Sequence, residues 1–253
     1  MIWPLFRYIL MAARRDRFFI AVVGFLIVTI CLSVFFGSSA VTEQDHFART
    51  FAAFGFRIFG VVSLTLFIVS YIRRSFDNRD IDYLLSRPIS RIQFVLSHAT
   101  GFSCLALIAA LILGGTTVAL ETGNLHQGVF LWWVSIAVEF IIMANVAMFF
   151  SFVIGSTTAC MGAVFGFYLL SRLIGEILGI LQKGASSSLM TLLSKFMELI
   201  SIFIPRLDLM GQTKWILYGM PTEISFGFVI AQGFVFLFLI ILGTVIDLHR
   251  RQF

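Results

Sequence analysis

Four charged side chains interrupt long apolar runs in this sequence: Arg57, Glu139, Arg172 and Glu176. Holding a charge at hydrocarbon depth costs about 2.5–3.5 kcal/mol on insertion scales, so such a residue is kept for an ion pair, a polar path or a reaction. Arg172 and Glu176 are four residues apart, the spacing at which side chains of one helix meet, which predicts a pair between them. Glu139 has no partner at helical spacing, and Arg57 and Arg172 are the cations it could face on another helix. Two readings stay open. The set is an internal lock that fixes one helix packing, or Glu139 lies at a dimer interface or along a polar substrate path.

The second concentration of polar chemistry is residues 73–93, RRSFDNRDIDYLLSRPISRIQ, with five arginines and three aspartates between two apolar runs. Asp80–Leu85 reads as a short amphipathic helix, with Ile81, Leu84 and Leu85 on one face. Pro88 disfavours helical geometry at Arg87, so the chain turns there. Ser90 is then placed to cap the helix that follows. A short helix, a turn and a re-entering span make a docking element.

Other residue types that could do chemistry are scattered. His46, His98, His126 and His249 share no metal-ligand spacing, and no HExxH pattern occurs, so no metal site is expected. His98 is expected to pack with a hydrogen bond. Cys31, Cys104 and Cys160 fall in apolar runs and read as small packing residues, and Met143, Met148 and Met161 as gap fillers. No GxxxxGK[ST] phosphate loop is present, so any ATP hydrolysis belongs to another chain and this chain is expected to be no enzyme and to hold no cofactor. An intramembrane enzyme using Glu139 or His98 would lack a second catalytic group at recognisable spacing.

The elements that position these groups follow from composition. Of 253 residues, 59% are hydrophobic and 12% charged, against roughly 25% charged in a soluble domain. An all-α integral membrane protein follows. A span needs about 20 apolar residues, and six segments qualify: Phe18–Phe36, Phe51–Ile72, Phe94–Leu120, Val129–Ile154, Ala159–Leu181 and Ile224–Ile246. With the N-terminus inside, eleven of the arginines and lysines fall on the inner side and five on the outer. That asymmetry places both termini and the 73–93 loop in the cytoplasm. It also accounts for the net charge of +5 without nucleic acid as a partner.

Met1–Arg17 is too basic to span, and Trp3, Leu5, Phe6, Ile9 and Leu10 form an apolar face that suits a helix lying in the membrane interface. Between the fifth and sixth spans, in residues 182–222, Leu189–Ile204 is apolar but short and ends at Pro205, which predicts a re-entrant or interfacial helix. Trp132, Trp133, Trp215 and Tyr218 are candidate anchors at the outer interface. Gly162-x-x-x-Gly166 and Gly175-x-x-x-Gly179 would let another backbone approach the fifth span.

The string Asp82-Tyr-Leu-Leu-Ser-Arg-Pro-Ile-Ser-Arg91, followed by Phe94-Val-Leu, resembles the first cytoplasmic loop of type-two ABC exporter permeases. Ile204-Pro-Arg-Leu-Asp-Leu209 is similar to a stretch that many of these permeases carry on the outer side before their last span. The resemblance implies that the loop holds a coupling helix seated in the cleft of a separate ATPase subunit. Leu84, Leu85 and Pro88 would then supply contact and shape, Arg87 and Arg91 charge pairs to the partner, and Asp82 or Ser90 local caps. It further implies an N-terminal elbow helix, a second permease copy or a paralogue, two ATPase copies that bind ATP and Mg, and residence in a bacterial inner membrane. A non-transporting scaffold or assembly factor working with an ATPase would share these features. On the cytoplasmic placement of the loop, a Ser86→Cys variant lacking the native cysteines should react with an impermeant maleimide only after the membrane is opened. Labelling of intact cells would reverse the topology.

Overall fold

The computed structural model describes residues 2–39, 44–78, 90–120, 127–183, 204–220 and 224–250, together with 192–193, 195–196 and 199–200. Its helices are α1 (Ile2–Arg15), α2 (Phe18–Ser39), α3 (Gln44–Asp77), α4 (Arg91–Leu120), α5 (Gln127–Val153), α6 (Thr157–Lys183), α7 (Lys214–Tyr218) and α8 (Phe226–Arg250), with a 3₁₀ turn at Leu207–Leu209. No strand occurs among the described residues. Six of the helices, α2 to α6 and α8, are long and apolar enough to cross a membrane, one for each expected span. The chain is a multi-pass helical membrane protein.

The apolar runs locate the spans but not the helix ends. α3 begins seven residues before its apolar run, and its 34 residues reach about 51 Å at 1.5 Å per residue, well beyond a hydrocarbon core of about 30 Å. A helix whose backbone bonds are already satisfied internally has no reason to stop where the apolar side chains do.

α5 lies at the centre, touching α3, α4, α6, α7 and α8. Of the span helices, α3 and α5 are the most buried, while α2, α6 and α8 expose most of their surface. α1 turns its apolar face onto α4. Ile9, Ala12 and Ala13 are buried, and Ile9 Cδ1 would stand 2.7 Å from a Cβ at Gly101. α1 joins α2 through Arg17, held at φ 58°, a left-handed conformation that costs an L-residue roughly 1–2 kcal/mol.

Several expectations are corrected by packing. Trp132 and Trp215 do not anchor an interface: both are fully enclosed. Trp133 is half-buried and donates Nε1–H to the Ala110 carbonyl at 2.9 Å, whereas Tyr218 is exposed. No backbone approaches Gly162 or Gly166 within the described residues, and Gly175 instead faces the Asp208 carboxylate. His98 matches its expected role. Its Nδ1 lies 3.0 Å from the Phe94 carbonyl, and the rings of Tyr71, Phe94, Phe102 and Phe152 surround it.

One close approach fixes the far end of the bundle. At Gly128, near the start of α5, a Cβ would meet the Trp215 carbonyl and the backbone of Gly219, whose carbonyl carbon stands 2.7 Å away. Backbone cannot swing aside as a side chain can. Gly128→Ala should therefore displace α7 and destabilise the fold by roughly 1–3 kcal/mol. The check is a lower unfolding midpoint in detergent, with greater acrylamide quenching in a variant whose sole tryptophan is Trp215.

Candidate functional site

The intramembrane charges converge. Glu139, midway along α5, is wholly buried, and its carboxylate meets donors from two other span helices. Tyr168 of α6 donates its hydroxyl to Oε1 at 3.0 Å, and Arg172, one turn further on, donates Nη2–H to Oε2 at 3.0 Å. Arg57 of α3 brings Nε to 3.5 Å of the same oxygen. The expected Arg172–Glu176 pair does not form: Arg172 turns inward and Glu176 is exposed. At i, i+4 both side chains share a face, but a fully buried carboxylate holds an arginine more strongly than a surface one.

Arg172 has a second task. Its Nη1 donates to the carbonyls of Leu207 and, at 3.0 Å, of Met210. These carbonyls belong to the segment after Pro205, which continues through Gly211 at φ 54°. Arg57 Nη2 lies against the hydrogen face of Gly211, so a side chain there would collide with the guanidinium as well as strain the backbone. Asp208 pairs with Arg206 at 2.9 Å and packs on Gly175 of α6, and Gln212 donates to the Asp208 carbonyl at 3.1 Å. Glu139 is the thirteenth residue of α5 and Arg172 lies eleven before the end of α6. Asp208 packs on Gly175, eight residues before the end of α6, and Gly211 lies beside Ile136, nine residues into α5, so the segment dips roughly 12–14 Å below those helix ends at 1.5 Å per residue. Most of Leu189–Ile204, the stretch before it, lies outside the described residues. Ile204 packs on Ile174 and Leu178.

At the other end of the bundle, arginines bordering the 73–93 loop close helix termini. Arg73, near the end of α3, donates to the carbonyls of Ser151, Ile154 and Gly155, the last at 2.9 Å, and so caps the C-terminus of α5. Arg91, the first residue of α4, donates to the carbonyls of Leu248 at 2.6 Å and His249 at 3.2 Å, capping α8. The last carbonyls of a helix have no intrahelical donor and carry the negative end of the helix dipole, so a cation there is stabilising by about 0.3–1 kcal/mol or more. Arg74 bridges to Asp16 in the turn between α1 and α2, at 2.5 and 3.2 Å. These contacts gather the ends of α1, α3, α5 and α8 and the starts of α2 and α4 on one face, called the basic face below.

Of the loop residues singled out from sequence, Asp82, Leu84, Leu85, Arg87 and Pro88 lie outside the described residues. Ser90 caps α4 as expected, its hydroxyl accepting the Gln93 amide at 3.2 Å. Arg91 turns its guanidinium onto the end of α8 of the same chain. Sequence reasoning missed Tyr168, Arg73 and Gly211. Tyr168 had a usable signal, four residues before Arg172 and so on the same helical face; the other two act through contacts distant in sequence.

Among the described residues no three histidine, cysteine, aspartate or glutamate side chains come together as metal ligands. Compared with known proteins, the chain matches no family model and no curated protein.

The clamp predicts unequal costs. Glu139→Gln leaves two buried guanidinium groups facing a neutral amide and should destabilise by about 3–5 kcal/mol, the scale for breaking a buried ion pair. Tyr168→Phe removes one neutral donor and should cost about 1–2 kcal/mol. Denaturant unfolding of the detergent-solubilised chain measures both, and equal costs would contradict the clamp.

Proposed function

We propose that this chain is the membrane-spanning permease of an ABC exporter, working as a dimer with a copy or paralogue and driven by a separate ATPase that docks on residues 73–93. In this reading the basic face is cytoplasmic, the membrane is a bacterial inner membrane, α1 is the interfacial elbow, and the loop between α3 and α4 carries the coupling helix. The observation that supports it most is the pair of clamps at the loop's borders. Arg73 ties one border to the end of α5, and Arg91 ties the other to the end of α8. A partner that displaced the loop would pull two further spans directly. α5 carries Glu139, which holds Arg172 and through it the segment after Pro205. The displacement therefore has a route from the basic face to the far half of the bundle through the α5 helix and the Glu139–Arg172 pair, the arrangement a rigid-body switch between two packings needs.

The division of labour between the arginines gives the test. Arg87→Glu should lower co-purification of the ATPase about tenfold, corresponding to ~1.4 kcal/mol, and leave the unfolding midpoint unchanged. Arg91→Glu should lower the midpoint, because it removes the α8 cap. An ATPase complex that survives both Arg87→Glu and Leu84→Asp would refute the docking assignment.

A further inference from the structure

An apolar cavity of about 400 Å³ opens between α5, α6 and α8. Val146, Phe149 and Phe150 of α5 form its floor, Phe167 of α6 one wall, and the α8 stretch from Phe236 to Gly243 the other. Pro205, from the segment clamped by Arg172, closes one end. α8 is tied to the bundle on both sides of the cavity, and Thr244, next to Gly243, is itself wholly buried. Near its start, Gly233 faces Val138 so closely that a Cβ would overlap it, and near its end Arg91 holds the Leu248 carbonyl. Beside the cavity Gly243 has no side chain, and a Cβ there would meet Phe149 at 3.7 Å, ordinary van der Waals contact.

We propose that this cavity binds one acyl chain of a bilayer phospholipid from the leaflet on the basic face. The occupant follows from depth, size and lining. Phe236 and Gly243 lie ten and seventeen residues below the start of the 25-residue α8, about 15 and 26 Å at 1.5 Å per residue, so the cavity runs from just short of mid-span toward the basic face. Among the described residues the lining side chains are all apolar and offer water no partner. A single hydrocarbon chain can bend to follow this irregular apolar lining, which a rigid helix about 10 Å across cannot. Arg250, exposed about two turns beyond Gly243, stands where the phosphate of such a lipid reaches the surface. The chain would run from Arg250 past Gly243 and end its methyl against Pro205. Lipid occupancy and the Glu139–Arg172 clamp thus bear on one segment, at Pro205 and at the Leu207 and Met210 carbonyls.

The site rests on the six spans and not on the transporter reading, so the test needs no ATPase. The full chain is reconstituted in nanodiscs with phosphatidylcholine bearing a diazirine either at the chain terminus or near the ester, irradiated, and mapped by peptide mass spectrometry. The terminal probe should label around Pro205 and Phe236, and the ester-proximal probe around Gly243. Each should exceed the labelling of Phe234 and Phe238, which face outward on α8. Gly243→Phe should fill the cavity and cut the terminal label roughly fivefold while Phe234 and Phe238 label as before. Gly243→Leu provides the same comparison with less bulk should the phenylalanine variant not fold. Labelling no denser in the cavity than on the outer face of α8, a reversed order of the two probes, indifference to both Gly243 variants, or protein–protein cross-links from a second copy into the cavity would each overturn the proposal.

Discussion

A single carboxylate organises the far half of this molecule. Glu139 is sealed inside α5 and receives Tyr168 and Arg172 from α6, with Arg57 from α3 beside it. In hydrocarbon, helices gain nothing from hiding apolar surface from one another, because lipid tails are as apolar as leucine. What selects one packing is close van der Waals contact and the few polar groups that have nowhere else to go. A buried carboxylate without its cations is so unfavourable that α3, α5 and α6 are held to the arrangement that satisfies it. Arg172 passes the constraint on, spending its remaining donor on two carbonyls of the 207–210 turn. That turn has irregular backbone at membrane depth, which is tolerated only where protein supplies the hydrogen bonds.

The basic face is built on a different principle. There the exposed polar groups are helix ends, and the arginines that bias topology also complete those ends. Arg73 serves α5, Arg91 serves α8, and Arg74 the joint between α1 and α2. A cation at a helix C-terminus satisfies orphan carbonyls and the dipole together. A loop bordered by such caps is mechanically connected to spans it does not belong to. That connection is what makes the proposed docking of an external ATPase on this loop physically economical: one push would reach α3, α4, α5 and α8.

The two ends of the bundle communicate through α5. Its C-terminus is gripped by Arg73, its middle holds the buried carboxylate, and its start is pressed against the backbone of Trp215 and Gly219. The cavity lies beside it, where α8 is tied to the rest at Gly233, Thr244 and Leu248 and Gly243 presents no side chain. Rigid ties and an open gap are consequences of the same spacing of small residues and caps along one helix.

The sequence alone determined the class of protein, the number of spans and the identity of the charges that had to be explained. Those conclusions depend on composition and on runs of about 20 residues, which are additive properties of a chain in lipid. Ser90 as a cap and His98 as a packed side chain were legible for the same reason, since each acts within a turn of its own position. Only the tertiary structure decided which partner each charge takes. Glu176 sits at ideal spacing from Arg172 and loses it to Glu139, because burial strengthens the distant pair and solvates neither. Trp132 and Trp215 read as interfacial by type and depth, yet the close fit at Gly128 draws their segment into the core. Arg91 reads from sequence as a charge partner for another subunit, and only the fold brings the end of α8, 157 positions further along, beside it. A local pattern states what a residue can do, and the neighbours delivered by the fold determine which of those options has the lowest free energy.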